Sequence, residues 1–211
     1  MAEKVKSGDF VELDFVGRIK STGQIFDLTV EDIAKKEGLN SENMTPLIAC
    51  INAGHLLKGF DENLIDKTVG SEFEFDVSPE KAFGKKNPKH IQLTSIHTLK
   101  KSGVNPVTGM QLNVDGVLAT VRSVSGGRVI LDFNHPLAGK ELHYWVKIRK
   151  LITDSEEKVN SILYMLGVPG KASVKNKVAE IKLDEEAPAD KKKFVSEEIK
   201  KIIPEVEVKF I

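Results

Sequence analysis

A single cysteine, Cys50, excludes any disulfide within the chain, and its apolar neighbours Leu47, Ile48, Ala49 and Ile51 point to a buried thiol. No stretch approaches the roughly 20 apolar residues that cross a bilayer. Met1 to Asp9 are too charged for a signal-peptide core, so a reducing cytoplasm is the expected location. Net charge is missing as well, with 31 Lys+Arg against 31 Asp+Glu. A chain without an overall field does not gather nucleic acid or anionic membrane, and neither is expected as a partner. The signatures of covalent and metal chemistry are absent too. There is no Gly-x-Ser-x-Gly elbow, no phosphate-cradling glycine loop and no His-Glu-x-x-His helix, and the five histidines (His55, His90, His97, His135, His143) lack ligand spacing. What remains is chemistry that depends on shape and environment, with no metal or cofactor expected.

The 40% apolar and 29% charged composition is that of a globular chain, long enough for two or three small domains. Val11, Leu13 and Phe15 alternate with polar residues as a half-buried strand. Thr22-Gly23 turns the chain, and Ile25 to Leu28 return as a second strand. A polar stretch from Glu31 to Asn43 with one short helical turn leads to the apolar run Pro46 to Ile51. Leu56, Leu57, Phe60 and Leu64 then share one face of a short helix, and Phe73, Phe75 and Val77 form a further half-buried strand. From about Asn87 to Ala138 the texture changes to β-branched runs and turn glycines, with Met110–Val124 and Arg128–Phe133 flanking Ser125-Gly126-Gly127 as a hairpin. Leu142, Tyr144, Val146 and Ile148 resume the strand pattern of the first part. Thr153 with Glu156 is a capping box opening a helix that Gly167 ends. Ala172 to Leu183 reads as a strand, Asp184 to Asp190 as an acidic loop, Phe194 to Ile203 as a helix, and Val206 to Phe210 as a closing strand. The run Lys191-Lys192-Lys193 reads as a solvated helix start.

The order Gly8-Asp9, Thr22-Gly23, Phe26-Asp27, Leu56-Leu57-Lys58-Gly59-Phe60, Val69-Gly70 and Ala82-Phe83-Gly84 resembles the FKBP family of prolyl isomerases. The excursion after Gly84, ending in Asn134-His135-Pro136-Leu137-Ala138-Gly139, is similar to the SlyD-type branch and its long archaeal relatives, in which an insert-in-flap chaperone domain interrupts the isomerase fold. The resemblance covers Lys4 to Ile152, and the C-terminal unit is similar to the extra domain of the long archaeal members. It implies an α+β fold: an antiparallel half-barrel around a short helix (1–86 and 139–152), an inserted mostly-β domain (87–138) and a small C-terminal α/β domain (153–211).

The resemblance further implies an apolar pocket for proline walled by Phe15, Phe26, Leu47, Leu56, Leu57, Phe60, Phe83 and Tyr144, with Asp27 at its edge. Phe60 would be the floor, and Leu57 would offer its N–H to a substrate carbonyl. By spacing alone most of these residues read as core. The twisted X-Pro amide is less polar than the planar one, so a dry aromatic cradle would favour rotation without a cofactor. Phe83 and Phe15 stand where relatives often have tyrosine, which implies reduced activity and leaves open a non-enzymatic chaperone that only binds. In the insert, Leu93, Ile96, Leu99, Met110, Leu112, Val114, Val117 and Leu118 are candidates for an apolar groove that captures unfolded chains, although spacing alone assigns most of them to the insert's own core. Self-association through the C-terminal domain is a further expectation. No His/Cys-rich tail follows, so metal handling is not implied.

Overall fold

The computed structural model describes residues 3–42 and 44–211, so Asn43, at the end of the polar stretch, lies outside the described residues. In chain order the elements are β1 (Phe10–Ile19), β2 (Ile25–Leu28), α1 (Glu31–Lys36), β3 (Leu47–Cys50), α2 (Lys58–Leu64), β4 (Glu72–Val77), β5 (Ile91–Ser95), α3 (Ile96–Lys101), β6 (Gln111–Val114), β7 (Val117–Ser125) and β8 (Arg128–Asp132). They are followed by β9 (Leu142–Ile152), α4 (Ser155–Met165), β10 (Gly170–Lys175), β11 (Val178–Leu183), α5 (Ala189–Ile202) and β12 (Glu207–Phe210). The chain forms two compact units, one of 1–78 with 141–211 and the other of 79–140.

The first unit is built on a five-stranded antiparallel sheet ordered β2-β1-β9-β4, with β3 pairing the first half of β1 on the side that β2 occupies further along. Paired residues share a face, so register sorts the side chains. Leu13, Phe15 and Gly17 on β1, Leu47 on β3, Tyr144 on β9 and Phe75 on β4 fall on one face. That face is covered by α2, whose Phe60 and Leu64 are buried. Phe10, Ile48, Cys50 and Ile152 point the other way, into a core shared with Val159, Ile162 and Leu163 of α4. Enclosure there pushes the Cys50 thiol up to about 11, with the Asp61 charge adding to the effect.

The C-terminal segment differs from its sequence reading in three places. Asp154, rather than Thr153, caps α4, its carboxylate accepting from the Glu157 N–H at 2.8 Å. Its charge at the helix N-terminus favours the same outcome. Ala172–Leu183 is two strands, β10 and β11, joined by Asn176-Lys177, both with positive φ, which is the hairpin geometry that needs no glycine when asparagine leads. Helix α5 starts five residues before Phe194. Strand β12 adds parallel to β11.

The second unit is a four-stranded antiparallel sheet ordered β5-β8-β7-β6 with α3 on one face. Met110–Val124 is broken by the Asp115-Gly116 turn into β6 and β7. Its two entry strands are tied by Asn134, whose Nδ2 donates to the Asn87 carbonyl at 3.1 Å and to Asp132 Oδ1 at 2.7 Å, while its Oδ1 accepts from the Asn87 N–H at 2.8 Å. Lys86 closes the group with a 2.9 Å bond to Asp132. Burial pushes the Asp132 carboxyl up, but the hydrogen bonds from Lys86 and Asn134 outweigh it and hold the group at about 2. His135 Nδ1 accepts from the Leu137 N–H, which shapes the Pro136-Leu137 turn.

Candidate functional site

Tyr144 is the hub of an aromatic cluster. Its ring centroid lies 4.9 Å from Phe60, 5.7 Å from Phe75, 5.8 Å from Phe26 and 6.3 Å from Phe15. Phe60 meets Phe15 at 5.9 Å and Phe75 at 5.5 Å, both edge to face. Three strands and one helix therefore each contribute a ring to a single site, with Phe26 from β2 completing the wall. Phe15, Phe60 and Tyr144 are buried, whereas Phe26, Phe75, Leu47, Leu56 and Leu57 are half-buried. Phe75 was legible only as one side of a half-buried strand, and its membership follows from the pairing Phe75↔Tyr144.

Gly17 makes the arrangement sterically feasible. A Cβ there would stand 2.7 Å from Phe26 Cζ and 3.0 Å from Tyr144 Cε1, so the bare backbone is what lets two rings pass over β1.

Asp27 pairs with Gly17 and sits at the open edge. Its outer side is exposed while protein backs the other side. That one-sided enclosure raises its pKa, against a hydrogen bond from the Leu28 N–H. Enclosure also pushes the Tyr144 hydroxyl up, and the Asp27 charge adds to this, which places the carboxylate within electrostatic reach of the phenol. That hydroxyl is the one polar group carried by the five rings.

Helix α2 begins later than its apolar spacing suggests. Leu56 precedes it, and Leu57 is the N-cap, extended at φ −62° and ψ 138°, with its carbonyl accepting from Phe60 and Asp61. Its own N–H has no acceptor among the described residues, as is usual for the first amides of a helix. The loop before it is fixed by Asp61 Oδ1, which accepts from the N–H of Asn52 at 3.1 Å.

Phe83 belongs to the second unit, where it stacks on His135 with centroids 4.2 Å apart. Also in that unit, Leu112 is 7% exposed and packs with Ala119, Val121, Val129 and Leu131, with Ile96, Leu99 and Val114 leaning on this core. Leu112 is thus enclosed by its own domain, because its partner Ala119 faces inward. Leu93, Met110, Val117 and Leu118 are exposed. A separate cleft of about 440 Å³ is lined by Thr45, Pro46, Ile48, Asn160 and Tyr164 among others, on the face of β3 opposite the rings. Among the described residues no group of His, Cys, Asp and Glu has the geometry of a metal site, and no helix is long and apolar enough to cross a membrane.

Residues 1–99 match the family described as FKBP-type peptidyl-prolyl cis-trans isomerase, and residues 92–137 match the family described as FKBP26, IF domain. Over 151 residues the chain is 31% identical to a short-type peptidyl-prolyl cis-trans isomerase of Methanocaldococcus jannaschii, covering 71% of this chain and 95% of that protein. It is 27% identical to an FKBP-type 16 kDa peptidyl-prolyl cis-trans isomerase of Escherichia coli over 60% of this chain and 87% of the other. With SlyD of Treponema pallidum the identity is 28% over 56% and 68%. The aromatic cluster on an antiparallel sheet and these similarities agree: the chain belongs to the FKBP-type peptidyl-prolyl cis-trans isomerase family, in its SlyD-like branch, and is an isomerase enzyme.

Proposed function

We propose that the ring cluster of Phe15, Phe26, Phe60, Phe75 and Tyr144, flanked by Leu47, Leu56, Leu57 and Asp27, is where the X-Pro bond of a polypeptide rotates. The observation that supports this most is the convergence of five rings beside one carboxyl enclosed on its inner side. The prolyl ring enters between Phe26 and Phe60. The amide sheds water on entry, and the less polar twisted form gains relative to the planar one. The Leu57 N–H holds the chain on one side of the rotating bond, so the other side turns. Asp27 and the Tyr144 hydroxyl orient the amide from the edge. For Phe83, in the second unit, a substrate role rests on the family resemblance alone.

The working division follows the three parts drawn from the resemblance: isomerase 1–86 and 139–152, insert 87–138, and C-terminal domain 153–211. The insert binds unfolded chains in the cytoplasm. Leu93, Val117 and Leu118, at 63%, 53% and 52% exposure, with Met110 beside them in sequence, support this role, since exposed apolar side chains next to free sheet edges suit an added strand. Capture there raises the local concentration of substrate for the isomerase site. Replacing 87–138 by a short glycine linker is expected to preserve turnover of a short Pro peptide and to slow a proline-limited refolding reaction strongly. Equal losses in both assays would refute the division of labour, and Phe60→Ala with undiminished peptide turnover would refute the site.

A further inference from the structure

The loop Ile51–Leu57 that carries Leu56 and Leu57 to the ring cluster is braced from behind by the C-terminal segment. Ala53 packs against the core that contains Val159, Leu163, Val195 and Ile199. Two residues on, His55 is half-buried, and its Nε2 is fully enclosed with no hydrogen-bond partner among the described residues. Nearly all buried polar groups in folded proteins find a partner, which makes this ring unusual for a residue that only fills space. Charges bear on it from both elements beside it, Glu198 and Lys201 of α5 and Asp61 of α2. Glu198 and Lys201 also pair with each other at 3.5 Å, and Asp61 is held by the Asn52 N–H.

We propose that His55 is a positioning residue: as a neutral imidazole wedged between the active-site loop and α5, it sets the place from which Leu56 and Leu57 face the prolyl substrate, and taking up a proton displaces that loop and weakens substrate binding. The inference rests on the reading that Leu56 and Leu57 line the substrate site. A proton added to the enclosed ring creates a cation opposite Lys201 and leaves the buried nitrogen a donor without an acceptor. The relief available is Glu198 turning from Lys201 to His55, which draws the loop toward α5 and away from the rings. Enclosure already lowers the proton affinity of His55; Glu198 and Asp61 oppose that, and Lys201 adds to it. The folded arrangement therefore favours the neutral form, and protonation works against it as pH falls below the ordinary histidine range.

The test is cis/trans exchange NMR on a Pro-containing tetrapeptide with the full chain, which needs no coupling protease, from about pH 8 down to 5. The wild type is expected to lose kcat/KM toward acid mainly through KM, and His55→Gln to flatten that limb. Lys201→Met should move the limb to higher pH and Glu198→Gln to lower pH, each by about 0.3–0.5 unit, the size expected of one partly screened charge. Opposite shifts from two residues outside the ring cluster separate His55 from Asp27, whose carboxyl is shifted by burial and by the Leu28 N–H. Profiles that superimpose on the wild type, or that move in the same direction, overturn the proposal. Phe60→Ala run alongside keeps the two readings apart. Full activity there removes the site assignment and the role of His55 with it, whereas lost activity with an unmoved limb in the α5 variants removes only the role of His55.

Discussion

Gly17→Ala is the sharpest probe of the ring cluster because it adds one methyl group at its tightest point. The new carbon would lie 2.7 Å from Phe26 Cζ and 3.0 Å from both Phe26 Cε2 and Tyr144 Cε1. Carbons pack at about 3.5–4.0 Å, so one ring must retreat by roughly an ångström. Tyr144 is boxed in by Phe15, Phe60 and Phe75, whereas Phe26 is half-buried on a four-residue strand at the sheet edge. Phe26 therefore moves. Overpacking of this kind costs about 1–3 kcal/mol, and for a chain of this size each kcal/mol lowers Tm by roughly 2–4 °C. The variant is expected to fold, to melt up to about 10 °C lower, and to lose ~10²-fold in kcat/KM on a Pro peptide, since an ångström of misplacement can cost that much. Adding Phe26→Leu removes the clashing ring atoms. The double variant should recover most of the stability and none of the activity, a coupling that contact between the two sites requires. A Gly17→Ala protein with wild-type Tm and wild-type turnover would show that Phe26 is not held over β1, and the account of the wall would be wrong.

Other substitutions probe the polar edge and the insert. Tyr144→Phe deletes the cluster's one hydroxyl at constant shape and is expected to cost about 1 kcal/mol of transition-state stabilisation, about fivefold in kcat/KM by exchange NMR, with Tm nearly unchanged. Phe83→Tyr supplies the hydroxyl donor that the family resemblance implies for this position and should raise turnover by a similar factor; no gain in either peptide or refolding assays counts against its assignment. In the insert, the stability that ionised Asp132 contributes is complete above the ordinary carboxylate value near 3.8 and is lost as pH falls from there through about 2. Protection of the Val129 and Leu131 amides, corrected for the intrinsic exchange rate at each pH, should therefore fall over that interval, and Asp132→Asn should remove this pH dependence while lowering protection at neutral pH.

How much of this was legible depended on the length and contrast of each signal. The alternation in β4 and β9 was visible because one face of each strand is wet at intervals, whereas β1, read as half-buried because Glu12 and Asp14 interrupt its apolar residues, is enclosed on both faces. Helix α3 was not, since six residues give only Ile96 and Leu99 as inward positions, too few to define a period, and its cap is a lone serine accepting from the His97 N–H. The break in Ala172–Leu183 was hidden because Asn176-Lys177 is a weaker turn signal than Asn-Gly. The order of Phe26-Asp27, Leu57 and Phe60 carried the site as a resemblance, but strand register alone adds Phe75 and gives Gly17 its reason. The pair β6 and β7 shows the same limit. Register puts Leu112, Val114, Val117 and Ala119 on one face, yet Val117, beside the Asp115-Gly116 turn, is exposed while Leu112 and Ala119 are buried, a difference that spacing does not carry.

On the proposed reading the rings are core and site at once, because the same contacts serve both. Edge-to-face pairs contribute about 0.5–1.5 kcal/mol each beyond the area they bury, and Phe60 makes three such contacts, to Phe15, Phe75 and Tyr144. Perpendicular rings cannot close flat on one another, so the packing that stabilises the back of the cluster also resists its collapse at the front, where Phe26 remains half open. The sheet adds a second constraint. Its opposite face carries Phe10 of β1, Ile152 of β9 and Ile48 and Cys50 of β3 into the core of α4, so β1 and β9, which hold Phe15 and Tyr144, are braced from both sides. An isomerase needs this rigidity more than it needs a reactive group. It moves no proton and forms no bond, so the lowering of its barrier comes from surroundings already dry and already in place when the amide begins to turn.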